Sequence, residues 1–254
     1  DAAPALASRG ILNPLHHAPR AKRIIWLYMA GGMTHLETFD HKPKLAELHG
    51  QPMPESITKG QQIAQLQGKE LRCQGPQFEF RRFGRSGQEI CSLFPEIGSV
   101  ADDLCIIRSM YTEAINHDPA ITFLQTGSQI SGRPSIGAWL NYGLGSDNDN
   151  LPAFVVLITR GKGDQPLYSR LWGTGFLPTT YQGVQFRSGK DPVLYLNNPP
   201  GEDMAGRRNV LDRLSELHQL EEQTTGDVEL ASRIAQYEMA FRMQTSVPEV
   251  TDLS

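Results

Sequence analysis

Two short segments of this sequence combine side chains that hydrolytic chemistry uses. The first runs from Gly31 to Asp40 and contains Thr34, His35 and Asp40, which offer a hydroxyl, an imidazole and a carboxylate. His35 and Asp40 are of the types that bind divalent metal ions, although two ligands do not complete a site. The structural alternative is that the two glycines form a tight turn and that Thr38 or Asp40 caps the next element of the chain.

The second segment is Asn116-His117-Asp118-Pro119, which lies at the predicted start of a helix. The free N–H groups and the dipole at a helix N-terminus favour bound anions. In a hydrolase, His117 would serve as a metal ligand, a general acid or a nucleophile, and Asn116 and Asp118 would orient it. The alternative is that Asn116 or Asp118 is a plain helix cap.

Several cationic side chains lie in glycine-rich loops near predicted strand ends. They can bind sulfate or phosphate oxygens through charge-assisted hydrogen bonds, and the alternative is a solvated surface. The candidates for substrate binding are Arg133, Arg187 and Lys190, together with Thr34 from the first segment, and Arg160 and Lys162 belong to the same group of cations.

The pattern of apolar residues predicts strands that alternate with helices. Short apolar runs at 23–30, 104–110, 153–158 and 193–196 are typical of buried strands. Helices are predicted over 92–102, 119–126, 134–144, 203–223 and 228–243. We therefore expect an N-terminal arm over 1–22 and an α/β domain over 23–254, with a mostly parallel central sheet flanked by helices. Ligands bind at the carboxyl edge of such sheets, and each of the two segments comes after a predicted strand.

Composition and charge exclude some classes of function. A formal net charge of −4, with both signs mixed along 254 residues, provides no basic surface for nucleic acid. The longest apolar run, Ile24 to Ala30, is too short to cross a bilayer. Three cysteines leave at least one thiol unpaired in a monomer, and Cys73 and Cys91 either form a disulfide or remain buried thiols.

The motifs resemble those of the DUF1501 family over essentially residues 20 to 254. The shared features are the Gly-Gly-x-x-His-Leu-x-x-Phe-Asp run from Gly31 to Asp40, Arg108-Ser109-Met110, Asn116-His117, and the Gly-Arg-Pro-Ser segment from Gly132 to Ser135. In addition, residues 117–127 resemble the sulfatase signature C-x-P-S-R-x-x-x-L-T-G. The chain keeps the Pro and the final Thr-Gly but has Ala120-Ile121 in place of Ser-Arg and His117 in place of Cys.

This resemblance implies an alkaline-phosphatase-like fold, export from a bacterial cell, and hydrolysis of sulfate or phosphate esters, including sulfated polysaccharide. It also implies a divalent metal ion, calcium, zinc or manganese. Ala30-Gly31 stand where active sulfatases have paired metal-binding aspartates. We therefore expect most ligands in a C-terminal half beyond Ser254, and little activity from this chain alone. The alternative function is a non-catalytic secreted binding or scaffold protein that keeps the hydrolase fold.

Overall fold

The computed structural model of the chain describes residues 8–60, 68–159, 167–187, 189, 191–194, 196–227 and 229–251. It has two compact units. The central unit is Leu27–Ala120, and the terminal unit combines Asp1–Trp26 with Ile121–Ser254. Within the described residues there are seven α-helices and two small two-stranded sheets, so the chain is a mixed α/β protein.

The central unit is built around a β-hairpin and short helices. Strand β1 (Phe80–Phe83) pairs antiparallel with β2 (Gln88–Cys91), with Phe80 opposite Cys91. The helices are α1 (Pro43–Glu47), α2 (Glu55–Thr58) and α3 (Pro95–Ser99), and short 3-10 turns cover His35–Glu37 and Ala101–Asp103. Ile90 and Cys91 are fully buried, so β2 is the inner strand of the hairpin.

The turn between β1 and β2 depends on two glycines and one carboxylate. Gly84 and Gly87 have φ angles of 64° and 67°, which residues other than glycine rarely adopt. The carboxylate of Asp102 accepts hydrogen bonds from the backbone N–H groups of Arg85 at 2.9 Å and Ser86 at 2.8 Å. These bonds lower the pKa of Asp102 and fix the turn against the 3-10 segment that comes after α3.

The terminal unit contains helices that pack around a short parallel strand pair. Its elements are most of α4 (His117–Thr126), then α5 (Ile136–Leu144), β3 (Val155–Leu157), β4 (Val184–Phe186), α6 (Met204–Thr225) and α7 (Glu229–Thr251). Strands β3 and β4 pair in parallel, with Val155 opposite Val184. Phe186 of β4 is buried against Met243 and Val247 of α7, which form the centre of a hydrophobic core.

Polar caps explain where several helices begin and end. The hydroxyl of Ser135 accepts a hydrogen bond from Ala138 N–H at the start of α5, and Asp203 caps α6 in the same way through Gly206 N–H. Gly226 has a left-handed conformation and ends α6. The predicted helices are therefore found close to their predicted positions. None of the described helices is both long and apolar enough to cross a membrane.

The strands are where the structure differs most from the sequence-based expectation. Residues 23–30 and 104–110 take part in no sheet within the described part of the chain, and Leu27 is 91% exposed. The predicted strand over 153–158 is present as β3, and it pairs with β4, which the sequence did not predict as a strand. In the predicted strand over 193–196, residue 195 lies outside the described residues. An apolar run signals a preference for burial, whereas a strand also requires a neighbour, which local sequence does not specify.

Candidate functional site

The segment from Gly31 to Asp40 folds into a compact turn. Thr38 is almost fully buried, and its hydroxyl donates hydrogen bonds to the carbonyl oxygens of Thr34 at 2.9 Å and His35 at 3.3 Å. The backbone N–H of Asp40 also donates to His35 O, at 3.0 Å. Thr34, His35 and Asp40 therefore belong to one hydrogen-bonded turn, and Thr38 is its structural centre. Their functional role stays a prediction.

Hydrogen bonding attaches this turn to the hairpin. The backbone N–H of Cys91, at the end of β2, donates to Thr38 O at 2.9 Å. Close by, the His41 ring stacks on Phe80 of β1, with ring centroids 4.6 Å apart. The polar groups at the turn are consequently held on a folded support and not on a free loop.

Asp40 is paired with a lysine that sequence reasoning did not single out. Lys42 Nζ lies 2.8 Å from each carboxylate oxygen of Asp40. The hydrogen bond from Lys42 is the main reason why the pKa of Asp40 is lowered, partial burial opposes it, and the charges of Lys42, His35 and Arg108 add to the lowering. Asp40 is thus an ionised group at neutral pH and does not act as a general acid. The only sequence signal was the Asp-x-Lys spacing.

The described residues do not fit a complete metal site. Among them, no group of three or more His, Cys, Asp or Glu side chains could hold a metal ion. Of the predicted ligands, His35 is exposed and Asp40 is already bonded to Lys42 through both oxygens, so a cation would have to displace an ammonium group. The divalent-metal prediction stays a prediction, and we derive no chemical step through a metal.

The second candidate segment forms the exposed start of helix α4. The backbone O of Asn116 accepts the hydrogen bond from Ala120 N–H at 3.1 Å, which makes Asn116 the residue that precedes the helix. The side chains of Asn116, His117 and Asp118 are all exposed. Since Pro119 in the first turn has no N–H, the backbone donors of this turn lie at its very beginning.

The buried residues of α4 lie in its middle and C-terminal parts, whereas its first two residues are exposed. Ile121, Thr122 and Gln125 are buried, so the helix is anchored by its middle and C-terminal parts. At the other end, Gly127 has a φ of 73° and its N–H donates to Phe123 O at 2.7 Å, which ends the helix. The Pro and the final Thr-Gly that resemble the sulfatase signature therefore mark the two ends of one helix.

Both candidate segments lie in the central unit. Among the described residues, no hydrogen bond or ion pair connects the turn from Gly31 to Asp40 with Asn116 or His117. Arg108 acts electrostatically on Asp40, which makes it a second residue that the functional prediction missed. A shared binding site for both segments stays a prediction.

The predicted cations belong to the terminal unit. Arg133 is exposed in the loop before α5, and Arg187 is exposed directly after β4, where its backbone N–H donates to Pro192 O at 2.8 Å. Lys190, Arg160 and Lys162 lie outside the described residues. The backbone at Arg133 is held by close approach, because a Cβ atom at Gly175 would lie 2.4 Å from Arg133 C and from Pro134 N.

The three cysteines are free thiols and form no disulfide. Cys73 and Cys91 are both buried and unbridged, and Cys105 is exposed. Each of the two buried residues takes part in backbone hydrogen bonding, Cys73 N–H to Gln51 O at 2.9 Å and Cys91 N–H to Thr38 O at the same distance. They therefore behave as small buried apolar residues.

Comparison with known proteins identifies a family and no function. Residues 21–254 match the model of a protein family, DUF1501, which is described as having unknown function. No curated protein and no solved structure matches the chain.

Proposed function

This chain belongs to the DUF1501 family, and we propose that it forms part of a sulfate- or phosphate-ester hydrolase. The observation that carries the proposal is the exposed first turn of α4, which presents Asn116, His117 and Asp118 to solvent. Backbone N–H groups at a helix N-terminus are suited to the non-bridging oxygens of such an ester. The imidazole of His117 supplies a group that can act as a general acid or base.

In this proposal the residues of α4 have separate roles. The first N–H groups of the helix bind the non-bridging oxygens of the ester while a water molecule attacks its sulfur or phosphorus atom. The bond to the ester oxygen breaks, and His117 donates a proton to that leaving oxygen. Asn116 and Asp118 are positioning residues that orient the imidazole. In the turn from Gly31 to Asp40, the carboxylate of Asp40 is paired with the ammonium group of Lys42, which balances its charge. The substrate is a small anionic ester or a sulfated polysaccharide.

The finer fold and the location in the cell are part of the proposal. We infer an alkaline-phosphatase-like sheet to which residues 23–30 and 104–110 contribute strands. The support is that these segments carry large apolar side chains, of which Ile25 is 83% and Met110 is 70% exposed, and water contact of that extent is unfavourable. Export from a bacterial cell is inferred from the family resemblance, and fractionation of producing cells would test it.

Turnover of aryl esters tests the proposed function. The full-length protein is assayed with 4-nitrophenyl sulfate and 4-nitrophenyl phosphate in the presence of zinc, calcium or manganese. We expect His117→Ala to lower kcat/KM by about 100-fold or more, because general acid–base catalysis typically contributes at least that factor. The matched control is His17→Ala, which removes another exposed histidine and should leave kcat/KM unchanged.

The same assay separates the hydrolase from a non-catalytic binding protein. If no ester is turned over with any of the three metals while sulfate still binds at α4, the chain belongs to a binding or scaffold protein. If turnover occurs but His117→Ala leaves kcat/KM unchanged, the assignment of His117 is wrong.

A further inference from the structure

The terminal unit contains a cavity that the proposed hydrolytic site does not use. Its volume is about 1260 Å³, and it lies between α7, the start of α6, and the loops around β3 and β4. Small-molecule sites usually enclose about 300–1,000 Å³, so this cavity can admit a ligand of that class or larger. None of the candidate residues on α4 or in the turn from Gly31 to Asp40 lines it.

The charges on the cavity wall favour an anion. Four arginines and two carboxylates line it, and both carboxylates already have partners: Asp149 is 3.0 Å from Arg9, and Glu229 accepts a hydrogen bond from Thr179 at 2.8 Å. By contrast, among the described residues no carboxylate lies within 4 Å of the guanidinium groups of Arg207 and Arg233. Guanidinium groups without a partner are suited to sulfonate, carboxylate or phosphate oxygens.

Part of the remaining wall is apolar and aromatic. Tyr142 and Tyr181 meet edge to face with ring centroids 5.2 Å apart, and both are half-buried, so their rings are held in place. Leu194, also on the wall, is 50% exposed, and Met239 connects the cavity to the hydrophobic core. These side chains provide a surface for a flat apolar body beside the free cations.

One buried acceptor on the wall has no partner. The side-chain N–H₂ of Gln244 donates to Leu196 O at 2.6 Å and to Asn198 Oδ1 at 2.7 Å, which fixes the orientation of the amide. Its Oε1 is buried and accepts no hydrogen bond from the described residues. A buried acceptor without a donor is unfavourable.

We infer that this cavity binds an organic anion with an apolar, ring-containing body. Arg207 and Arg233 bind the anionic group, and the Tyr142–Tyr181 pair with Leu194 contacts the body. The inference goes beyond the proposed hydrolase, since it involves residues of the terminal unit only and no bond is broken.

Titration calorimetry with two matched aromatic probes tests this inference. The full chain is titrated with 6-hydroxy-2-naphthalenesulfonate and with 2-naphthol, which has the same ring and hydroxyl without the anion. We expect the sulfonate to bind at least tenfold more tightly than the naphthol. Arg207→Gln and Arg233→Gln should each weaken sulfonate binding by about tenfold or more, since a charge-assisted hydrogen bond is lost.

Matched variants decide between specific binding and general surface attraction. Arg213→Gln removes an exposed arginine of α6 that pairs with Glu216 outside the cavity and should leave the affinity unchanged. Leu194→Asn should weaken both probes equally, because it alters the apolar wall and not the charge. Equal affinity of the two probes, or sulfonate binding that neither arginine substitution weakens, would overturn the inference. His117→Ala leaves this binding intact whether or not the proposed hydrolase is correct.

Discussion

Lys42 balances the charge of Asp40, and this pair shows how a single residue changes the interpretation of a motif. From the sequence, Asp40 was a metal-ligand candidate at the end of a glycine-rich turn. In the structure its carboxylate is 15% exposed and bonded to Lys42 through both oxygens. Lys42 lowers the pKa of Asp40 and occupies both oxygens of its carboxylate. A metal ion at Asp40 would therefore have to replace the ammonium group of Lys42.

Substituting Lys42→Ala should raise the pKa of Asp40 toward its ordinary value of 3.8. The physical reason is the loss of the hydrogen bond and the charge that favour the carboxylate form. Carbon-detected NMR titration of the Asp40 carboxyl measures the change directly. Lys44→Ala is the control, because Lys44 pairs with Glu47 on the exposed side of α1 and not with Asp40.

The lowered pKa also sets the sign of the linked stability change. A carboxyl whose pKa is lower in the folded state stabilises the fold above its unfolded pKa, and that contribution is lost as the pH falls through the folded pKa. The difference in unfolding free energy between wild type and Lys42→Ala should therefore be present at neutral pH and shrink below about pH 4. A difference that grows toward acid would contradict the ionised Asp40.

At the scale of elements, packing around α5 shows which glycines are required. A Cβ at Gly137 would lie 2.4 Å from the ring of Phe154, whereas a Cβ at Gly143 of the same helix would meet Leu12 at an ordinary 3.4 Å. The two glycines lie in the same helix but have different neighbours. Gly137 is required because the ring of Phe154, just before β3, leaves no room for a side chain, and not because of helix geometry.

Alanine substitutions at these two glycines should have opposite effects. Gly137→Ala should lower the free energy of unfolding by about 1–3 kcal/mol, because the ring of Phe154 must move. Gly143→Ala should be neutral or raise it by up to about 1 kcal/mol, since alanine favours a helix over glycine. Denaturant unfolding of both variants is the measurement, and equal effects would refute the packing argument.

The contact between α6 and α7 depends on an ion-pair network. Arg208 bonds to both carboxylate oxygens of Glu238, lies 2.7 Å from Asp212, and stacks over Phe241 with 5.1 Å to the ring centroid. The hydrogen bonds from Arg208 lower the pKa of Glu238, and burial opposes this only in part. Hence the charged form of Glu238 holds the two helices together.

We expect Glu238→Gln to destabilise the chain by about 1 kcal/mol at neutral pH, a modest value because both partners are about one-third exposed. The lowered pKa makes this loss disappear as the pH falls through the folded-state pKa of Glu238, since wild type then carries a neutral group as well. Thermal unfolding from neutral to acidic pH measures the change. Glu216→Gln, in a more exposed pair with Arg213, should have a smaller effect.

At the scale of the whole molecule, helices were predictable from the sequence and strand pairing was not. The amphipathic spacing of Leu211, Leu214 and Leu217 and a cap at each end suffice to define α6, because helical hydrogen bonds are local. Strand β3 was found where an apolar run predicted it, but its partner β4 was missed, since pairing depends on a segment 29 residues further along the chain.

The sequence predicted which residues belong to the candidate site, but it did not predict the contacts that they make. Gly31 to Asp40 and Asn116 to Asp118 were selected from residue types beside predicted element ends, and each folds as a local unit. The bond between Lys42 and Asp40, the effect of Arg108 and the cavity of the terminal unit come from side-chain directions and long-range packing. A single sequence carries no direct signal for such contacts.

We propose that the first turn of α4 binds a tetrahedral oxyanion. The decisive measurement is a titration of the full chain with sulfate, followed by NMR of the backbone amides. We predict saturable shifts at the backbone amides of His117 and Asp118, with chloride at equal ionic strength producing none. Shifts that rise without saturation, or that appear only at exposed arginines such as Arg133, would contradict the claim.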